Sequence, residues 1–165
     1  MSLFIEHQQL SVRPFTAEDK QDFVQLVQHP LCMKYSITGV LSEQQASDCF
    51  DTLLNNKKHK MYAIQCVKSG LVIGCTGLQD CFVDQQIEPS FILRLLPDFH
   101  EHQDLLPTLT LLVEQLISLY QLPGLQTVIS QKNHLNMQLM SALNFQKTKE
   151  VTCRGIASYL YTIGS

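Results

Sequence analysis

No glycine occurs between Gly77 and Gly124, and that absence matters most over Leu95-Leu96-Pro97-Asp98-Phe99-His100-Glu101-His102-Gln103-Asp104-Leu105-Leu106-Pro107. An apolar strand there runs through a short polar loop into a strongly apolar helix, the setting in which amides at a helix start hold an anion. Such a cradle ordinarily uses glycine so that the backbone can approach the ligand closely. Here those places carry carboxylates, imidazoles and a proline. An excess of positive charge is also missing: 12 Lys and Arg stand against 15 Asp and Glu, a net charge of −3. That excludes the global basic field of a nucleic-acid binder. The one basic run, Lys57-Lys58-His59-Lys60, reads as a solvated helix end whose charge meets the helix dipole. No C-x-x-C pair joins the six scattered cysteines, which lie mostly in apolar runs. Buried free thiols in a reducing cytoplasm are expected rather than a disulfide framework or a zinc site. No stretch is apolar enough to span a bilayer. The first residues show no basic start followed by a long apolar run, so neither a secretory signal nor a transit peptide is expected. Without internal repeats, low-complexity segments or linkers, the 165 residues, 45% of them hydrophobic, read as one domain over 1–165 with a single sizeable core.

What is present alternates strand and helix patterns. Leu10 to Pro14 predicts a first strand, followed by a helix that Thr16 can cap with support from Asp19, its inner face built from Phe23, Leu26 and Val27. After Pro30, Ser42-Glu43-Gln44-Gln45 is a capping box, with Ala46, Cys49, Phe50, Leu53 and Leu54 at helical spacing behind it. Met61 to Val67 and Leu71 to Leu78 predict an antiparallel pair about a Ser69-Gly70 turn, with Gly74 and Gly77 as bulges or tight contacts. Ser90 to Leu96 is the next strand. A long helix from Leu105 to Tyr120 presents Leu105, Leu109, Leu112, Val113, Leu116, Ile117 and Tyr120 on one face and ends before Pro123-Gly124. Thr127 to Ser130 predicts a short strand and His134 to Leu143 a helix, with Asn144 suited to the left-handed position after it. Strands near Phe145 to Glu150 and Ala157 to Ile163 finish the chain, Tyr159 and Tyr161 sharing a face. The order is β-α-α-β-β-β-α-β-α-β-β.

Five pieces in that order resemble the GNAT superfamily of acyl-CoA-dependent N-acetyltransferases, and within it the branch of ribosomal-protein N-terminal acetyltransferases. They are Leu10-Ser11-Val12-Arg13-Pro14-Phe15 with Asp19; His29-Pro30 with Met33-Lys34-Tyr35; Ile73-Gly74-Cys75-Thr76-Gly77-Leu78; Leu95-Leu96-Pro97-Asp98-Phe99; and Asn133, Asn136 with Leu143-Asn144-Phe145. The resemblance spans nearly the whole chain. It implies an α/β (α+β) fold with a mixed, strongly twisted sheet of about seven strands flanked by four helices. It further implies transfer of an acetyl group from acetyl-CoA to a primary amine, either a protein N-terminus or a small amine. The amine would enter between the first two helices and the last strands and attack the thioester directly.

Under that resemblance the pyrophosphate of acetyl-CoA meets the loop His100, Glu101, His102, Gln103, Asp104 and Leu105, where the branch carries Gln/Arg-x-x-Gly-x-Gly/Ala. Its two glycine places are Glu101 and Gln103. A carboxylate there repels the phosphates, Asp104 as an N-cap would compete for the same amides, and Pro107 removes one donor. Leu95 and Leu96 are the implied backbone donors to the thioester carbonyl, and Asn133 with Asn136 would contact the pantetheine arm. Asn133 equally reads as a helix N-cap. Ser90 stands where the branch often has Glu, which leaves Glu88, on the same strand face, as the nearest base or else a solvated strand-end charge. Met140 replaces a tyrosine acid; Tyr35, Tyr159 or Tyr161 could line the cleft or simply pack. Two other readings stay open. One is a catalytically degenerate GNAT-like module whose cleft binds another ligand or a protein partner. The other is a divalent metal on the alternating Asp98, His100, His102 and Asp104, which are otherwise solvent-facing loop side chains.

Overall fold

The computed structural model describes residues 3–36, 38–56 and 60–164. In chain order it contains β1 (Ile5–His7), β2 (Leu10–Pro14), α1 (Lys20–Gln28), α2 (Glu43–Asn55), β3 (Lys60–Cys66), β4 (Val72–Val83), β5 (Gln86–Leu95), α3 (Leu105–Leu119), β6 (Gly124–Ser130), α4 (His134–Ala142), β7 (Gln146–Cys153) and β8 (Ile156–Gly164). The α+β class with four helices stands as expected. Where one mixed sheet of about seven strands was expected, there are two antiparallel sheets, β1-β2-β3-β4-β5 and β6-β8-β7. The parallel relation of a mixed sheet survives only where β5 meets β6. Gln126 Nε2 donates to Ser90 Oγ (3.3 Å) and Thr127 Oγ1 donates to the Phe91 carbonyl (2.7 Å), so both contacts keep one offset along the chain. Side chains thus fill hydrogen-bonding places that a ladder would use, and the sheets part there.

Local chemistry explains most elements. At the first helix Thr16 and Asp19 form a reciprocal capping box about a short 3-10 turn, and Arg13 donates to both Asp19 oxygens at 2.8 and 2.9 Å. Ser42 and Gln45 do the same for α2. Asn144 closes α4 with φ of 72°. The β3–β4 pair kinks at Ile64/Gln65, opposite Gly74. Gly77 has φ of 143°, and a Cβ there would lie 2.0 Å from the Lys60 carbonyl, so only glycine fits.

Two strand features depart from expectation. β1 is additional, paired through Ile5↔Val12 and His7↔Leu10. The β4–β5 hairpin runs on to Val83↔Gln86, turning at Asp84 and Gln85 with φ of 48° and 67°. Of the basic run, residues 57–59 lie outside the described residues, while Lys60 opens β3 with its Nζ 4.5 Å from the Tyr120 ring centre.

Strand alternation puts cores on both faces of the larger sheet. Leu10, Val12, Ile64, Ile73, Phe91 and Leu95 pack under α3 with Leu105, Leu109, Leu112 and Leu116. Ala63, Val72 and Cys75 pack under α1 and α2, where Phe15 meets Phe23 and Phe50 edge-on at 5.7 and 5.9 Å. A smaller group, Val83, Val151 and Leu160, ties the long hairpin to the second sheet. No helix among the described residues is long and apolar enough to cross a membrane.

Candidate functional site

Beyond the Ser90–Gln126 and Phe91–Thr127 contacts, β5 and β6 diverge and leave a cleft of about 540 Å³. Ile92 to Leu95 form one wall and Thr127 to Ser130 the other, with the loop after α1 and the start of α4 at its ends. The backbone facing it follows from the ladder. Leu96 donates its amide to the Ile73 carbonyl (2.9 Å), and bonded positions alternate in an antiparallel pair. Leu93 and Leu95 therefore turn their polar groups away from β4 and toward the cleft. Leu96, implied as a carbonyl donor, is already bonded within the sheet. Leu95 keeps its amide beside the Cys32 thiol, which burial pushes up to about 11 although Arg94 and that amide act the other way. Leu93 is thus the open donor on this wall, and it was not singled out from the sequence alone.

The loop before α3 is arranged differently from the capped start implied by Asp104. Asp104 is buried, but its carboxylate accepts the Gln9 amide (3.3 Å) from the β1–β2 turn instead of capping α3. Its own amide donates to His102 Nδ1 (3.0 Å). Because that nitrogen is accepting, its 3.9 Å approach to the Asp104 carboxylate is not an ion pair. Leu105 donates to the His102 carbonyl (3.0 Å), and its side chain lies in the core. Pro107 has no amide. The amides of Glu101, Gln103 and Leu106 have no protein partner among the described residues. The Glu101 and Gln103 side chains are exposed.

His100 stands apart from its neighbours. It lines the cleft, and its Nδ1 is buried with no hydrogen-bond partner. Burial holds the imidazole below its usual 6.5, with the nearby Leu95 carbonyl acting in the opposite direction. The ring is therefore neutral near pH 7. Asp98, His100, His102 and Asp104 do not converge, and among the described residues no three His, Cys, Asp or Glu side chains gather as a metal set.

The remaining sequence candidates divide. Glu88 is exposed on the long hairpin opposite Cys81, and Ser90 is fully buried against Gln126; neither lines the cleft. Asn133 caps α4, its Oδ1 accepting the Asn136 amide (3.2 Å), and both asparagines line the cleft. The cap leaves the Asn133 NH2 group unbonded. Tyr35 lines the mouth, while Tyr159 and Tyr161 pack on the α3-side core. Met140 is buried at 1% exposure.

A family profile for the acetyltransferase (GNAT) domain matches residues 9–146. No curated protein sequence matches the chain. Among solved structures, a GNAT-family acetyltransferase from Bacillus anthracis is 14% identical with a TM-score of 0.79, 98% of each chain being covered. The ribosomal-protein-S5-alanine acetyltransferase of Vibrio fischeri is 13% identical with a TM-score of 0.74, over 98% of this chain and 96% of that one. Spermidine N-acetyltransferase from Vibrio cholerae, solved with CoA and spermine, is 12% identical with a TM-score of 0.72 over 94% of each.

Proposed function

The chain belongs to the GNAT acetyltransferase family, and from that premise we propose that it transfers an acetyl group from acetyl-CoA to a primary amine, small or at a protein N-terminus, by direct attack. The observation that carries this reading is the cleft itself, with the Leu93 amide on its wall and a neutral imidazole, His100, among its lining residues. An acyl-CoA fits the residues present, with a weakened phosphate end. The cleft is open, Asn133 lines it with its NH2 group unbonded, and the amides of Glu101, Gln103 and Leu106 would hold the pyrophosphate. Bound there, acetyl-CoA would supply an acyl group activated as a thioester.

The chain's own groups divide the remaining work. The Leu93 amide would orient and polarise the acyl carbonyl, a donor fixed before reaction and costing no reorganisation. The His100 imidazole, which lines the cleft, would take the proton that the acceptor amine loses. Met140, buried in the core, offers no acid, so the thioester carbon–sulfur bond breaks with the thiolate leaving unprotonated as the new carbon–nitrogen bond forms.

Calorimetry with acetyl-CoA tests the reading: binding is expected, and none detectable at millimolar cofactor removes it. Replacing His100→Gln should lower kcat about 10²–10³-fold. The acid limb of kcat/KM in the parent protein should lie below pH 6.5, because burial lowers the imidazole. A second reading, a binding module that has lost acetyl-CoA, is favoured by the internally bonded Asp104 and Leu105 amides and by Pro107.

A further inference from the structure

Four cations line the cleft, Lys34, Arg94, Lys132 and Arg154, against one carboxylate, Asp80. That is a local excess of positive charge in a chain whose net charge is −3. Arg94 is the informative member. It sits mid-wall in the apolar run Phe91-Ile92-Leu93-Arg94-Leu95-Leu96, half-buried, and among the described residues it has no ion pair and no hydrogen bond. The titratable groups it acts on are the thiols of Cys32, Cys49 and Cys75, which are neutral near pH 7 because burial raises all three, Cys75 to about 12. A half-buried guanidinium without a counter-ion is costly to the fold, and a planar fork of donors pairs best with a carboxylate or phosphate.

Arg94 also lies on the face away from the cofactor loop. Its cross-strand partner Cys75 belongs to the core under α1 and α2, whereas α3 packs on the opposite face. Lys34, in the loop after α1, and Arg154, at the β7–β8 turn, also line the cleft, on the two elements between which the acceptor would enter. The pyrophosphate of a cofactor seated at the start of α3 therefore does not account for Arg94.

We propose that the acceptor is a primary amine carrying an anionic group close to the amine, a carboxylate or a phosphate, and that Arg94 binds that group with Lys34 and Arg154 at the entrance. This rests on the transferase reading for the word acceptor, though the anion site is testable without it. A polyamine is the wrong charge for such a cleft. The anion can belong to a free amino acid or to an acidic residue beside a peptide N-terminus, and the two sources are separable.

The test uses the full chain with matched pairs: a panel of free amino acids against their amides, phosphoethanolamine against ethanolamine, peptides beginning Ser-Asp against Ser-Asn, and spermidine as the cationic comparator. Acetylation is followed by released thiol, and amine binding is measured separately by NMR titration without acetyl-CoA. In at least one pair the anionic member should be favoured by about tenfold or more, by KM or by Kd. Arg94→Gln should bring that ratio near one, Arg94→Lys should keep part of it, and Lys34→Gln should reduce it less. The pair that responds identifies the source. Equal use and equal binding within every pair, or a preference for spermidine, overturns the proposal, and this wild-type comparison needs no variant to fold. It is likewise overturned if Arg94→Gln weakens acetyl-CoA binding and leaves the anionic preference intact. Should acetyl-CoA fail to bind while an anionic amine still outbinds its neutral partner, the transferase reading falls and the anion site stands.

Discussion

The first and third helices each begin at an aspartate, and the two are used in opposite ways. Asp19 accepts from the Thr16 amide (2.8 Å) and from both terminal nitrogens of Arg13, so its carboxylate is satisfied by its own sequence neighbours. Asp104 turns aside to the Gln9 amide and leaves α3 without a side-chain cap. Neither aspartate caps its own helix, but at α1 the carboxylate is neutralised by a cation from the same stretch of chain. A start beside a cleft leaves amides unclaimed, and at α3 the amides of Gln103 and Leu106 remain so while that of Asp104 is covered by His102. The third helix is thus intermediate between a sealed end and an anion site.

The largest expected consequence is in stability. Removing the Asp19 carboxylate as Asp19→Ala strands the Arg13 charge and unmakes the capping box, and should cost about 3 kcal/mol in denaturant unfolding. Asp104→Ala should cost about 1 kcal/mol or less. Equal losses would erase the contrast. Acid should separate the two helix starts next. Burial pushes Asp19 up, but Arg13 and the Thr16 amide outweigh it and hold the carboxyl below its ordinary 3.8. Its stabilisation is therefore complete above that unfolded value and is lost as pH falls through the lower folded one. The stability difference between the parent and Asp19→Asn should shrink over that interval.

A smaller effect concerns the phosphate end. Joint replacement Glu101→Gly and Gln103→Gly removes a like charge and two side chains, and should raise acetyl-CoA affinity about tenfold by calorimetry. No change would mean that the occupied amides, rather than these exposed side chains, set the affinity. Pro107→Ala restores one amide in the first turn. It should change affinity about twofold and stability by about 0.5 kcal/mol or less.

Particular residues show why parts of the fold were readable in advance. Thr16 with Asp19, Ser42 with Gln45, and Asn144 act through bonds to atoms within a few residues, so their spacing carries the information. The turn at Asp84 and Gln85 was missed because both residues take positive φ without the Asn-Gly or Asp-Gly pair that usually marks such a hairpin. β1 was missed because three residues acquire strand form only by pairing with β2. At the cleft, Asn133 and His100 were singled out. Arg94 was passed over, although a lone cation inside an apolar strand is a visible signal. Glu88 and Ser90 were chosen by strand position, which says nothing of how far along the strand the cleft opens.

By itself the sequence determined the helices, most of the strands and the lineage that their order implies, because caps, turns and periodicity are short-range interactions. The tertiary structure decided which backbone amides face the cleft, that Asp104 is drawn away to Gln9, and that Lys34, Arg94 and Arg154 meet around one cavity. Those outcomes depend on ladder register and on the parting of two sheets, which bring together residues far apart in the chain.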